Sequence, residues 1–162
     1  MAVDSIAPIG GAEAAQLVLY RFADAVDWRQ PHTIAELFTE DGVFRLGAPE
    51  LRGRPAILAF YETRLADPRR IARHLWSNVE RTAANEDEVS LRAVLTNYIF
   101  EPRVSETEVQ MWVGNLRALC RRGHDGRWRF AEHVYERLYA MNLPLAPGFV
   151  PAFPQDAMND RP

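Results

Sequence analysis

The sequence is poor in cysteine and has no long apolar run. Cys120 is the only cysteine, which excludes an internal disulfide, an iron–sulfur cluster and a zinc site built from several cysteines. No apolar run approaches the roughly 20 residues of a membrane-spanning helix. Residues 1–11 also lack the basic and then apolar segments that mark a signal peptide. We therefore expect a cytoplasmic protein that does not associate with membranes.

Strong charge of one sign is also absent. The formal net charge is -3, and acidic residues surround the arginines at 69–73 and 121–122. This balance predicts a solvated face and no nucleic-acid partner. The sequence contains no phosphate-binding loop, no dinucleotide-binding fingerprint and no closely spaced set of metal ligands. We accordingly expect no metal and no cofactor, in a single domain of ordinary size.

Apolar residues recur every three to four positions over residues 12–27, which predicts an amphipathic helix. Asp27 lies on the flank of the apolar stripe at the C-terminal end of this helix. The helix dipole disfavours a carboxylate there unless a positive or hydrogen-bonding partner meets it. Pro31 opens a second short helix, residues 43–46 form a short strand, and Pro55 begins a third helix. Asp27 is therefore the first candidate for a functional side chain.

From residue 71 onward the apolar period changes from about 3.6 to 2. Short polar clusters separate four long segments of strand character, at residues 71–83, 88–101, 107–121 and 127–140. Short links between long strands predict an antiparallel meander. Helices followed by a run of strands indicate an α+β domain, with the helices packed on one face of a curved sheet.

The end of the chain, residues 143–162, contains five prolines and predicts irregular coil. Four of its apolar residues are Leu145, Phe149, Val150 and Phe153. They suggest that the first half of this tail lies against the body of the domain, where it could cover a pocket mouth. We expect a flexible N-terminus at 1–11, one domain at 12–142 and this Pro-rich tail.

Four segments resemble the SnoaL-like branch of the nuclear transport factor 2-like superfamily. They are residues 20–28 (YRFADAVDW), 37–44 (LFTEDGVF), 51–57 (LRGRPAI) and 126–130 (GRWRF). Their order and spacing match that branch over about residues 12–142. The resemblance implies a cone-shaped α+β fold, in which three N-terminal helices pack on a curved antiparallel sheet.

The same resemblance implies a candidate catalytic pair. In the cofactor-free enzymes of this branch, an aspartate that ends the first helix and a histidine on the first long strand form a dyad. The matching positions here are Asp27 and His74. A polar group on the last strand often lines the cavity, and His133 falls near that position. Several dehydratase-type members carry a Tyr or Lys where this chain has Phe22, so that helper is absent or has moved.

A second family resembles the chain at residues 73–79 (RHLWSNV) and 138–143 (LYAMNL). It is the small β subunit of the ring-hydroxylating dioxygenases. There the match implies scaffolding, because the metals sit in a separate Rieske-type α subunit. Against this interpretation, residues 53–65 resemble the compact third helix of the stand-alone enzymes.

Period-2 alternation puts His74, Trp76 and Asn78 on one face of the first long strand. A cone lined by these side chains would hold a base, an aromatic wall and an amide donor. We expect Asn78 or Tyr98 to stabilise a developing oxyanion. A ligand among them would be small and hydrophobic, and aromatic or polycyclic if several rings line the cone. The other residues expected to contact it are Phe22, Tyr61 and His133.

Three functions remain open at this point. The leading hypothesis is a cofactor-independent lyase or isomerase of the dehydratase, elimination or retro-aldol type, with His74 as general base. The alternatives are a non-catalytic dioxygenase subunit and a ligand-binding module without turnover. We expect a homo-oligomer, a dimer or trimer, that associates through the outer face of the sheet. An enzyme needs open volume beside His74, whereas a scaffold would fill that space with side chains.

Overall fold

Three helices and six strands make up the residues that the computed structural model describes, 10–48 and 50–152. The helices are α1 (Gly11–Asp27), α2 (Pro31–Glu36) and α3 (Arg54–Arg64). The strands are β1 (Phe38–Leu46), β2 (Glu50–Arg52), β3 (Ile71–Ala84), β4 (Glu88–Phe100), β5 (Glu108–Arg122) and β6 (Trp128–Pro144). The helices pack on one curved, open sheet. The predicted α+β fold class is therefore confirmed.

The strand order in the sheet is β2-β1-β6-β5-β4-β3. Strands β3 to β6 form the predicted antiparallel meander. The sheet is not antiparallel throughout, because β1 pairs with β6 in parallel. Strand β1 also begins at Phe38 rather than at residue 43, and its register with β6 shifts between Phe38 and Val43. Short β2 was not predicted; it pairs antiparallel to β1.

The core lies between the helices and the inner face of the sheet. Helix α1 buries the predicted stripe of apolar residues, which includes Leu19 and Phe22. On β4, alternate residues from Val89 to Ile99 are buried and their neighbours are more exposed. This alternation marks one face of the sheet as the inner one, because successive side chains of a strand point to opposite faces.

Two irregularities in the strands change which side chains reach the inner face of the sheet. Asn78 has φ +50°, and the register of β3 with β4 shifts between Ser77 and Glu80. The register of β5 with β6 shifts between Val113 and Gly114. An extra residue in one strand exchanges the faces of the residues that follow it. Beyond these two points, the alternation of side chains between the two faces can no longer be counted along the sequence alone.

The described part of the tail does not bury its large apolar residues. Phe149 is 61% exposed and Val150 is 79% exposed, while Leu145 is half-buried and its N–H bonds the Thr107 carbonyl. The predicted contact of Phe153 and residues 1–9 of the predicted flexible N-terminus fall outside the described residues, whereas Gly11 already belongs to α1. Among the described residues, no helix is long and apolar enough to cross a membrane.

Candidate active site

Asp27 and His74 form a direct pair where the end of α1 meets β3. Asp27 Oδ1 lies 2.6 Å from His74 Nδ1, and Asp27 Oδ2 accepts the backbone N–H of His74 at 2.9 Å. Because a carboxylate only accepts, Nδ1 must carry the proton. No described residue hydrogen-bonds Nε2, so in the neutral ring that nitrogen keeps its lone pair. One carboxylate thus fixes both the ring orientation and the tautomer of the histidine.

The His74 side chain lines an inner cavity of about 20 Å³. This is room for a single water molecule, and it falls short of the ligand-sized space that the enzyme hypothesis predicts. Helices α1 and α3 enclose the cavity together with strands β1 and β3 to β6. The polar side chains in its wall, besides His74, are Tyr61, Arg64, Arg70, Asn97, His133 and Tyr135.

Several of these polar groups have no partner within the described part of the chain. Both ring nitrogens of His133, Asn97 Oδ1 and the Tyr135 hydroxyl are buried and make no hydrogen bond there. Buried polar atoms are bonded in the great majority of cases, and leaving one unpaired costs about 1–3 kcal/mol. Four such atoms around one small cavity are the arrangement expected of groups that await a polar ligand or water.

His133 is neutral in this environment. It is 2% exposed, and burial lowers its pKa from 6.5 to about 3, with a smaller effect from the nearby charge of His74. Its ring lies 4.6 Å from that of Phe22 and 5.1 Å from that of Phe130, measured between centroids. A neutral imidazole offers one donor and one acceptor, so His133 can bond a carbonyl or a hydroxyl group.

Phe22 and Tyr61, which the sequence predicts to contact a ligand, also lie in the cavity wall. Burial raises the pKa of Tyr61, which keeps its hydroxyl protonated. Trp76 shares the inner face with His74 but does not line the cavity. Its indole N–H donates to the Leu19 carbonyl at 3.1 Å. Trp76 therefore ties β3 to α1, and nothing in the structure gives it contact with a ligand.

The predicted position of Asn78 is wrong. Its left-handed backbone conformation and the register shift beside it turn the side chain away from the face that His74 and Trp76 share. Asn78 is exposed and lines a surface depression with Arg92 and Asn115, which shares no residue with the inner cavity. It cannot reach an oxyanion formed beside His74.

Tyr98 is also misplaced by the prediction. It is 37% exposed on the outer face of β4, whereas its neighbour Asn97 is buried, pairs directly across the sheet with His74 and lines the cavity. The signal for Asn97 was present in the sequence, because this residue falls in the buried phase of Leu91 and Leu95. The amide side chain in the cavity wall is therefore that of Asn97, on the neighbouring strand.

Arg70 was expected on a solvated face and is instead buried. It is 2% exposed, lines the cavity and donates from Nε to Glu101 at 3.1 Å. Burial lowers its pKa to about 10, with a further contribution from Arg64, so the guanidinium stays charged at neutral pH. No local pattern separates Arg70 from exposed Arg69. Its burial depends on Glu101, which follows the last residue of β4.

An outer depression of about 590 Å³ adjoins the inner cavity. The two spaces share Leu46, Arg64, Trp112 and Tyr135 in their walls. Gly114 makes the Tyr135 position possible, because a Cβ there would come within 2.8 Å of the tyrosine ring. The shared side chains separate a ligand-sized outer space from the Asp27–His74 pair.

The family model of the SnoaL-like domain matches residues 12–134. A protein from Novosphingobium aromaticivorans, provisionally named an aromatic ring hydroxylase, is 22% identical with a TM-score of 0.71, over 83% of this chain and 92% of that one. A provisionally named scytalone dehydratase from the same organism is 19% identical with a TM-score of 0.71, over 82% and 87%. A type 2 hexachlorocyclohexane dehydrochlorinase (LinA) is 21% identical with a TM-score of 0.69, over 88% and 93%. No curated protein sequence matches significantly. At these identities the structures share the fold.

Proposed function

Since the chain belongs to the SnoaL-like domain family, we propose that it is a cofactor-independent lyase or isomerase in which His74 removes a proton from carbon. The observation that carries the proposal is the Asp27 carboxylate, which holds the ring and the backbone of His74 beside a cavity ringed by unpartnered polar atoms. A dehydratase and a dehydrochlorinase are among the proteins of similar fold, and both names describe eliminations.

In the proposed reaction His74 Nε2 accepts the proton, and Asp27 stabilises the imidazolium that forms. Charge then develops on a carbonyl oxygen of the substrate. Neutral His133, the Tyr135 hydroxyl and the Arg70 guanidinium line the same cavity and can donate to that oxygen. The proton on His74 returns to another carbon in an isomerisation, or to a departing hydroxyl group in a dehydration. No outside proton donor is needed.

Substrate entry requires movement of the side chains between the two spaces. The inner cavity of about 20 Å³ cannot hold a ring, whereas the outer depression of about 590 Å³ can. We propose that the substrate displaces Trp112 and Tyr135 as it enters, so that its reacting carbon reaches His74. The aromatic lining at Phe22 and Phe44 suits a hydrophobic, ring-containing substrate.

The proposal is tested by proton exchange, which needs no knowledge of the natural substrate. The wild-type protein should incorporate deuterium from D2O into the α position of 2-tetralone, followed by proton NMR. His74→Gln should slow the enzyme-dependent rate by about 10²–10⁴-fold, since that is the usual contribution of a positioned base. His32→Gln, at an exposed histidine, is the matched control. Equal rates for wild type and His74→Gln would refute the proposal.

One observation favours the second candidate, a non-catalytic subunit of a ring-hydroxylating dioxygenase with a Rieske-type partner. The space beside His74 is nearly filled by side chains, as a scaffold requires. This candidate predicts that 2-tetralone neither binds nor exchanges. Binding without exchange would instead indicate the third candidate, a ligand-binding module.

We also propose that the protein self-associates through the outer face of its sheet. Strand pairing places Tyr98, Met111 and Met141 in one row across β4, β5 and β6, and Val113 and Tyr139 in the next. Tyr139 is 52% exposed, and Leu75 on β3 extends the second row at 53%. A contiguous apolar surface of this kind is typical of an interface.

A further inference from the structure

The outer depression carries an excess of positive charge. Four arginines line it, and Glu136 is the one carboxylate among its lining residues; the arginines are Arg45, Arg64, Arg117 and Arg137. Arg45 pairs with Glu50. Within residues 10–48 and 50–152, no carboxylate oxygen lies within 4.0 Å of the guanidinium groups of the other three. The outer depression, which adjoins the inner cavity, is thus cationic, although the protein as a whole is acidic.

Arg64 links this charge to the reaction site. It is half-buried and lines both the depression and the inner cavity. Its guanidinium carbon lies 5.8 Å from the Phe60 ring centroid and 5.9 Å from that of Trp112. The Arg137 guanidinium carbon lies 4.7 Å from the same Trp112 centroid. Two cations therefore share one indole ring, and aromatic faces stabilise them in place of carboxylates.

A third cation lies close to Arg64, because buried Arg70 lines the inner cavity with it. Of these three arginines only Arg70 pairs with Glu101, which also lies 3.5 Å from Arg103 Nε. Like charges that converge on a partly buried space are destabilising, and an anion placed between them relieves that repulsion. The guanidinium fork also matches the geometry of a carboxylate, which it can bind through two parallel hydrogen bonds.

We propose that the outer depression takes an aromatic carboxylate, whose carboxylate group binds Arg64 and Arg137 while its ring contacts Trp112 and Phe60. This inference rests on the proposed function in one respect: the end of the ligand remote from the carboxylate faces His74. The carboxylate serves to orient the substrate and takes no part in bond breaking. The natural substrate is then a ring-containing acid and not a neutral hydrophobic compound.

The test compares two ligands of one shape, 2-naphthoate and the neutral 2-naphthamide, by isothermal titration calorimetry. Wild-type protein should bind the naphthoate at least 10-fold more tightly. Arg64→Gln should weaken naphthoate binding at least 10-fold and change naphthamide binding less than 2-fold. Arg64→Lys, which keeps the charge and loses the fork, should fall between. Arg81→Gln, at an exposed arginine outside both spaces, should bind both ligands as the wild type does.

Equal affinity of the wild type for the two ligands would overturn the inference, as would no binding of naphthoate at millimolar concentration. An equal loss of affinity for both ligands in Arg64→Gln would also overturn it. Such a result would mean that the substitution changes the shape of the site and that Arg64 does not recognise the negative charge. Tighter binding of 2-naphthyl phosphate than of naphthoate would overturn the assignment to a carboxylate. If naphthoate is preferred but wild type shows no deuterium exchange, the anion site stands and the proposed catalysis fails.

Discussion

At the scale of single residues, Asp27 has a role that only a carboxylate can fill. Its two oxygens accept two different N–H groups of His74, one from the ring and one from the backbone. An amide has a single acceptor oxygen, and its NH₂ group would face the second N–H donor. The pair is therefore sensitive to the smallest possible change of side chain.

We predict that Asp27→Asn lowers the free energy of unfolding by about 1–3 kcal/mol, since one buried donor loses its acceptor. It should also slow the exchange of 2-tetralone, because the His74 ring is no longer fixed in one tautomer. Urea unfolding followed by circular dichroism measures the first effect, and NMR the second. Glu132→Gln, at an exposed carboxylate of β6, should change neither quantity. An unaltered unfolding midpoint in Asp27→Asn would contradict the geometry of the pair.

His133 makes the stability of the fold depend on pH, and this effect can be measured without a substrate. Its pKa is about 3 in the folded protein and 6.5 in its ordinary state. Above pH 6.5 the ring is neutral in both states, so His133 contributes its full stability there. Between these values the unfolded chain takes up a proton that the folded chain does not. Stability from this residue is therefore lost as the pH falls from about 6.5 towards 3.

We predict that His133 contributes a slope of up to about 1.4 kcal/mol per pH unit in this window, since one proton is taken up on unfolding. His133→Phe should remove that slope while the slopes from other groups remain. The measurement is the free energy of unfolding of both proteins at several pH values between 4 and 7. Parallel curves for the two proteins would show that His133 is not buried as a neutral ring.

At the scale of elements, the irregularity at Asn78 decides what β3 presents to the cavity. The residues before it, His74 and Trp76, keep the phase that alternation predicts, and Val79 packs against the core in place of Asn78. The left-handed conformation at Asn78, φ +50°, is one that asparagine and glycine adopt readily. Asparagine therefore suits the backbone conformation at this position, and its side chain lies outside the cavity.

We predict that Asn78→Gly changes the free energy of unfolding by less than about 0.5 kcal/mol, whereas Asn78→Val lowers it by about 1–2 kcal/mol. The reason is that a β-branched residue is strained at positive φ. Ser77→Val is the matched control, because the adjacent exposed residue lies in ordinary strand conformation. Urea denaturation of the three variants checks the order. A stable Asn78→Val protein would indicate that β3 has no such irregularity.

At the scale of the whole molecule, the apolar rows on the outer face of the sheet should hold copies of the chain together. We predict that the wild type elutes as a dimer or trimer and that Leu75→Lys with Tyr139→Lys gives a folded monomer, because two buried charges without partners oppose association. Size-exclusion chromatography with light scattering gives the mass. Val104→Lys, at a residue exposed in the β4–β5 connection, should leave the oligomer intact. A monomeric wild type would contradict the proposal.

The order and kind of the elements could be predicted from the sequence because apolar periodicity is a local property of each segment. The long strands of the meander and the three helices could be predicted for this reason. The pairing of β1 with β6 could not be predicted, since it joins segments that are far apart in the chain. The position of His74 opposite Asp27 was expected from the resemblance to a family, and the structure sets the distance between them at 2.6 Å.

The sequence alone therefore determined the layers of this protein and the face of β3 that carries His74. Only the tertiary structure decided which polar groups surround that histidine. It placed Asn78 outside the cavity and Arg70 in the cavity wall, whereas the buried phase of β4 already separates Asn97 from Tyr98 in the sequence. The physical reason is that one inserted residue exchanges the two faces of a strand. The burial of a charge, likewise, depends on partners that no local pattern specifies.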